Sequence, residues 1–255
     1  MPLPSPCLFL SFAHPDDETF LAGGTACRCA DSGVRVVLAT ATRGESGKVG
    51  DPPVCSREAL PQVREQELGA AARLLHIASV HLLGYRDREL SAARPDAIRE
   101  QLVRLIRAER PAVVITFDPN GGNEHPDHIA VSRFTSDAVA AAADPRWYRD
   151  AGPAHQVLRL LWVAGRRPWE RALDPGLADQ GGADFVIDVT RWADRKVAAL
   201  RAHRTQHGSA ERHFFAHANI VRRLGTEMFR QAWGPAMRAR PLPDVFDGLD
   251  PDAVR

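Results

Sequence analysis

Two short runs of this 255-residue chain gather residue types that can do chemistry: His14-Pro15-Asp16-Asp17-Glu18 and His125-Pro126-Asp127-His128. A catalytic zinc takes three protein ligands, drawn from histidine and carboxylate, and keeps one position open for water. Two histidines and one carboxylate from these runs satisfy that pattern. Water on such an ion loses a proton near neutrality, and the ion polarises a carbonyl. Asp16 and Asp17 are consecutive and diverge in direction, so one can ligate while the other takes the water's proton. A remaining histidine can stabilise an oxyanion or protonate a leaving amine. The spacing does not say which aspartate takes which task.

An ordinary helix start accounts for part of this pattern. Proline suits the first helical position, and acids in the first turn suit the helix dipole. That explains Pro15, Pro126 and one or two acids. It leaves unexplained three histidines and paired aspartates at the ends of two strands.

The elements that must bring the runs together are legible as short apolar stretches alternating with helical patterns. Strands are predicted over Cys7–Ala13, Val34–Thr40, Val80–Leu83, Ala112–Phe117, Leu158–Ala164 and Phe185–Val189. Helices are predicted over about Glu18–Ser32, Arg57–His76, Asp96–Glu109, Pro126–Ala143, Arg191–Gln206 and Asn219–Trp233. Arg43–Ser56 reads as a long functional loop, Asp118–Glu124 as a turn-rich loop, Gly165–Ala183 as irregular, and the tail from Pro241 as poorly ordered. The order predicts an α/β, Rossmann-like three-layer sandwich: a mostly parallel sheet with helices on both faces and a smaller C-terminal α/β extension. We expect one domain over 1–255, with the core at about 7–150 and the extension at about 151–240. In a doubly wound sheet the first and fourth strands are neighbours at the point where strand order reverses, and ligands bind at their carboxyl ends. Both runs fall there.

Composition narrows the function classes. The 33 basic and 32 acidic residues give a net charge of +1 and are interleaved, so no one-sign stripe points to nucleic acid. Cys7, Cys27, Cys29 and Cys55 lack the spacing of a structural zinc knuckle and suit free thiols in a reducing compartment. No stretch approaches the roughly 20 apolar residues of a membrane span, and the N-terminus lacks a signal-peptide pattern. A soluble, cytoplasmic protein is expected. Gly23 and Gly24 do not form a dinucleotide fingerprint.

The chain resembles the LmbE-like/PIG-L family of zinc-dependent N-acetylglucosaminyl deacetylases. The likeness runs through Ala13–Glu18, Thr42–Gly47, the Arg64/Glu67 pair, Leu82–Asp87 and His125–His128, then more weakly through Lys196 to His203-Arg204-Thr205-Gln206. It covers roughly residues 7–230. The resemblance implies His14, Asp17 and His128 as ligands of one zinc, with ferrous iron an alternative metal in the cell. It implies Asp16 as general base, and His125 as oxyanion stabiliser or acid with Asp127 orienting it. Glu45, Arg64 and Asp87 fall where family members contact sugar hydroxyls; for Arg64 and Glu67 a solvated i,i+3 helix pair is the competing reading. The implied substrate is an N-acetylglucosamine-containing small molecule, such as a precursor of bacillithiol or mycothiol, and the implied assembly is a homo-oligomer.

Two departures stand out. Some relatives carry a tyrosine just before the histidine motif, where this chain has Asn120–Glu124, and Tyr85 and Tyr148 are its only tyrosines. Arg86 replaces a frequent proline. Competing readings are an amidase or deacylase for a thiol conjugate, antibiotic or glycolipid, phosphoryl transfer at magnesium, and a non-catalytic sugar- or nucleotide-binding module. Two histidines favour zinc or iron over magnesium. His203 and Gln206 lie one turn apart on a helix, from which His203 can approach the site, though it carries no assigned role; His207, His213 and His217 read as polar helix face and loop.

Overall fold

The structure is a computed structural model and describes residues 6–164, 183–216, 224–250 and 252. Among the described residues, the six segments that read as strands and part of one that read as a helix form a single sheet of seven strands: β1 (Cys7–Phe12), β2 (Arg35–Thr42), β3 (Ser79–Tyr85), β4 (Val113–Thr116), β5 (Arg159–Val163), β6 (Phe185–Asp188) and β7 (Thr226–Trp233). Their order is β3-β2-β1-β4-β5-β7-β6. β7 runs antiparallel to both neighbours, and the remaining pairings are parallel. β1 and β4 are fully buried, as their continuous apolar runs require in a sheet covered on both faces.

The longer helices among the described residues are α1 (Asp17–Asp31), α2 (Leu60–Leu74), α3 (Pro95–Glu109), α4 (Pro126–Ala143) and α5 (Ala193–Ala202). α3 packs on α4, while α1 and α2 pack on α5. Pro95 and Pro126 occupy first-turn positions where a missing N–H costs nothing. β1 pairs with β4 through Leu8↔Val113, Phe9↔Val114 and Leu10↔Ile115, so the two motifs leave adjacent strand ends, as expected from the strand order.

Three expectations differ from the structure. The helix predicted over Asn219–Trp233 is strand β7 across its described part, with residues 219–223 outside the described residues. Its buried positions include Glu227, an acid that a sequence reading places on a solvated helix face; Lys196 and the N–H groups of Gly24 and Thr25 hold that carboxylate inside. The helix predicted over Arg191–Gln206 is α5 flanked by 3-10 turns. Part of the tail expected to be poorly ordered is packed: Leu242 bridges Phe185, Val245 is buried, and the buried Arg159 guanidinium donates to the Val245 carbonyl at 2.6 Å. Most of the segment predicted irregular, 165–182, lies outside the described residues.

Candidate active site and metal-ligating cluster

β1 ends at Phe12, and the chain turns sharply before α1. Asp16 sits at the N-cap with φ 106°, a conformation L-residues rarely adopt and one that costs on the order of 1–3 kcal/mol. The turn aims consecutive side chains differently. His14 and Asp17 point toward the end of β4, while Asp16 faces Arg64 of α2 at 3.4 Å.

Across the sheet, α4 begins at Pro126 and delivers His128 from its first turn. His14 Nδ1 and His128 Nε2 stand 3.2 Å apart, with Asp17 oxygens 3.4 Å from the first and 3.5 Å from the second. Ligands about 2.0–2.1 Å from a tetrahedral ion lie roughly 3.3 Å from one another. The two nitrogens therefore have the mutual spacing of neighbouring tetrahedral ligands, and each has a different Asp17 oxygen at a similar distance. Their far sides are fixed as a metal site requires. His128 Nδ1 donates to the Gly121 carbonyl at 2.9 Å, leaving the Nε2 lone pair free toward Asp17. Phe117 stacks on the same ring at 4.0 Å. Gly121 allows this approach, because a Cβ there would fall 2.7 Å from His128 Cβ and its φ is +68°. His14 Nε2 donates to Asp127 at 3.2 Å and lies 3.1 Å from Asp87.

Three carboxylates thus converge on one imidazole, an arrangement whose negative charge favours a cation. Two groups among the described residues could hold a metal ion, His14/His125/His128 and His14/Asp87/Asp127; they share His14 and leave out Asp17. Asp87 and Asp127 face the opposite nitrogen of His14 from Asp17, and His125 is half-buried.

The environments push the paired aspartates apart. Burial raises the Asp16 carboxyl to about 7, against the opposing pull of Arg64 and with help from the Asp17 charge. Burial acts in the same sense on Asp17, but His128 and His14 outweigh it and hold that carboxyl well below its ordinary range. Burial works against a charge on His14, yet its bonds to Asp127, Asp17 and Asp87 raise its pKa well above the usual value. Burial lowers His125 and His128. Burial would raise Asp87, but His14 and the Ser46 N–H bring it to about 2.

The other expected site residues are drawn to the same place, with altered duties. Asp127, fully buried, does not orient His125 with its carboxylate. That carboxylate bonds His14 and accepts the N–H groups of Arg88 and Leu90, while the Asp127 backbone N–H meets His125 Nδ1 at 3.2 Å. The His125 ring stands 4.9 Å from His14 and 4.8 Å from His128, so it flanks the cluster. Arg64 is 3% exposed and is neither a solvated helix partner of Glu67 nor open to solvent. Its guanidinium donates to the carbonyls of Gly44 and Pro15 and faces Asp16. Gly44 (φ +64°) makes room for it; a Cβ there would lie 1.8 Å from Arg64 Nη1. Glu67 instead accepts the backbone and hydroxyl of Thr205. Asp87 accepts the Ser46 N–H at 2.9 Å, and its own N–H donates to Glu45 Oε1 at 3.1 Å. The second Glu45 oxygen is buried without a hydrogen-bond partner among the described residues.

The tyrosines do not replace the one missing before the histidine motif: the Tyr148 hydroxyl is spent on the Asp96 carbonyl, and Tyr85 ends the edge strand β3. Two residues without an assigned role in the sequence reading, Glu18 and His203, also lie beside the site. Their only signals were an acid inside the first motif and a histidine in the weakly matching segment.

Comparison with known proteins identifies the family. Residues 9–139 match the family described as PIG-L, GlcNAc-PI de-N-acetylase. A 1D-myo-inositol 2-acetamido-2-deoxy-alpha-D-glucopyranoside deacetylase from Streptomyces griseus is 35% identical, the match covering 98% of this chain and 91% of the relative. Among solved structures, the N,N'-diacetylchitobiose deacetylase from Pyrococcus horikoshii superposes with a TM-score of 0.71 at 22% identity, covering 97% of this chain and 87% of that one. The 4-carboxy-2-hydroxymuconate hydratase from Pseudomonas putida KT2440 shares the fold at a TM-score of 0.65 and 16% identity, covering 92% and 99%. A hydratase on this fold shows that architecture alone does not select the reaction. The family match and the relative do: the chain belongs to the PIG-L family and is an N-deacetylase.

Proposed function

We propose that the chain hydrolyses the acetamide of a 2-acetamido-2-deoxy-glucopyranoside linked to inositol, with zinc held by His14, Asp17 and His128. The observation that supports the metal reading is the 3.2 Å approach of His14 Nδ1 and His128 Nε2, each with an Asp17 oxygen 3.4–3.5 Å away and its far nitrogen held by Gly121 or by Asp127 and Asp87. The substrate rests on relatives of near-equal length that carry this name. When bound, zinc supplies a Lewis acid for the amide carbonyl and an acidified water.

The residues divide the remaining work. Asp16, raised toward neutrality, takes the proton from the attacking water; Asp17, held ionised, stays a ligand. Arg64 faces Asp16 and holds the turn through the Pro15 carbonyl. His125, on the open side of the cluster, stabilises the oxyanion or hands a proton to the departing amine. Glu45 offers its unpaired oxygen to a sugar hydroxyl. Four free cysteines fit a reducing, cytoplasmic setting, and no helix among the described residues is long and apolar enough to cross a membrane.

The test is release of acetate and free amine from the acetylated inositol glycoside, with and without chelator, for the wild type and Asp16→Asn. We expect chelation to abolish turnover. We expect Asp16→Asn to keep zinc while losing roughly 100- to 10,000-fold in kcat. Wild-type turnover by Asp16→Asn removes the base assignment, and turnover unaffected by chelator removes the metal.

A further inference from the structure

Glu18 follows the paired aspartates and is fully buried, yet it makes no hydrogen bond to His14 or His128 among the described residues. One of its oxygens accepts the backbone N–H of Asp16 at 3.0 Å. The other accepts the Thr19 hydroxyl at 2.5 Å and His203 Nε2 at 3.1 Å. Thr19 Oγ1 and His203 Nε2 are themselves 3.4 Å apart. His203 is 2% exposed and arrives from the far end of the chain, at the C-cap of α5. Its neighbours anchor the same segment: Thr205 to Glu67, and Gln206 Nε2 to the Lys48 carbonyl at 2.9 Å.

The chain of contacts ends on Asp16, whose positive φ is the largest of any described non-glycine residue. Asp16 has φ 106°, and its N–H lies at a helix start, where no helical partner exists. Glu18 supplies that partner, and His203 and Thr19 hold Glu18 in place. The direction of the Asp16 side chain follows from this backbone, so the brace sets where the carboxylate lies relative to the donor cluster. Buried ion pairs add little net stability in general. A misplacement of about 1 Å in a reacting group, in contrast, can cost about 100-fold in rate.

We propose that His203, acting through Glu18, is a positioning residue that fixes the Asp16 carboxylate for proton abstraction. This rests on reading Asp16 as the general base. Nε2–H donation to Glu18 is the contact that matters, and a glutamine at 203 can supply an N–H in its place.

The experiment is a kinetic cycle on the full chain, using the acetylated inositol glycoside, with zinc content and thermal midpoint measured for each variant. His203→Ala is expected to lower kcat about 10- to 100-fold while KM and zinc content hold. His203→Gln is expected to recover most of that loss, which lost packing alone does not explain. In an Asp16→Asn background, His203→Ala is expected to change kcat by no more than about 2-fold, because coupled residues are not additive. Wild-type kcat in His203→Ala, or the same fold-loss in both backgrounds, overturns the positioning role. Wild-type kcat in Asp16→Asn overturns the base reading instead. If His203→Ala does not fold, Glu18→Gln turns an amide toward one of its donors and is expected to lower kcat at constant KM; a folded Glu18→Gln with wild-type kcat also overturns the proposal.

Discussion

The sheet has two unlike halves. The parallel half, β3-β2-β1-β4, ends in the loops that carry His14, Asp16, Asp17, Asp87, His125 and His128. The other half, β5-β7-β6 with α5 and the turn after it, contributes no donor to the metal-capable groups among the described residues. Its polar groups point into the first half as braces. Lys196 and Glu227 pair in the interior at 2.5 Å, and Glu227 takes the Gly24 and Thr25 N–H groups of α1. Thr205 holds Glu67, and His203 holds Glu18. Reacting groups cluster where two strand ends meet at a reversal of strand order. The residues that keep them in place come from a segment remote in sequence, because only a second layer can reach the buried ends of α1 and α2.

If this division is right, damage to the braces and damage to the cluster read out differently. The largest effect on stability is expected from Lys196→Met, which leaves Glu227 buried without its cation. Removing one partner of a buried pair costs about 3–5 kcal/mol, and the two N–H donors keep this one near the lower figure. Denaturant unfolding measures the loss, and kcat per folded molecule is expected to be unchanged; a large fall in kcat at intact stability breaks the comparison.

Asp127→Asn acts on the other half. It weakens the acceptor behind His14, and we expect zinc affinity to fall about 10- to 100-fold with little change in the unfolding midpoint. Competition with a chromophoric chelator reads this directly, and unchanged affinity removes Asp127 from its role.

The smallest effect is in the pH profile. With Asp16 as the proposed base, kcat/KM is expected to rise with pH on the acid limb. Its midpoint lies at or below about 7, since a bound cation favours the ionised form. Arg64→Gln removes a positive charge that favours the carboxylate, so the limb moves to higher pH by about one unit. An unmoved limb, or one moved to lower pH, shows that Arg64 does not act on Asp16.

Much of this was legible in the sequence for a definite reason. Strands with continuous apolar runs and helices with proline at their first turn announce themselves locally, and α4 begins and ends where expected, at Pro126–Ala143. β7 was misread because its alternation includes Glu227, which looks solvated until Lys196 and α1 are placed around it. Arg64 reads as a surface pair with Glu67 until Gly44 and the carbonyls around it are seen to bury the guanidinium.

The local order of residues determined which donors this protein owns and which two strand ends present them, since both follow from periodicity and from the chemistry of histidine and aspartate. Only the tertiary structure decided how the paired aspartates differ and what Asp127 and His203 touch. A pKa or a hydrogen bond depends on burial and on neighbours more than a hundred positions away, and no spacing within a motif encodes those.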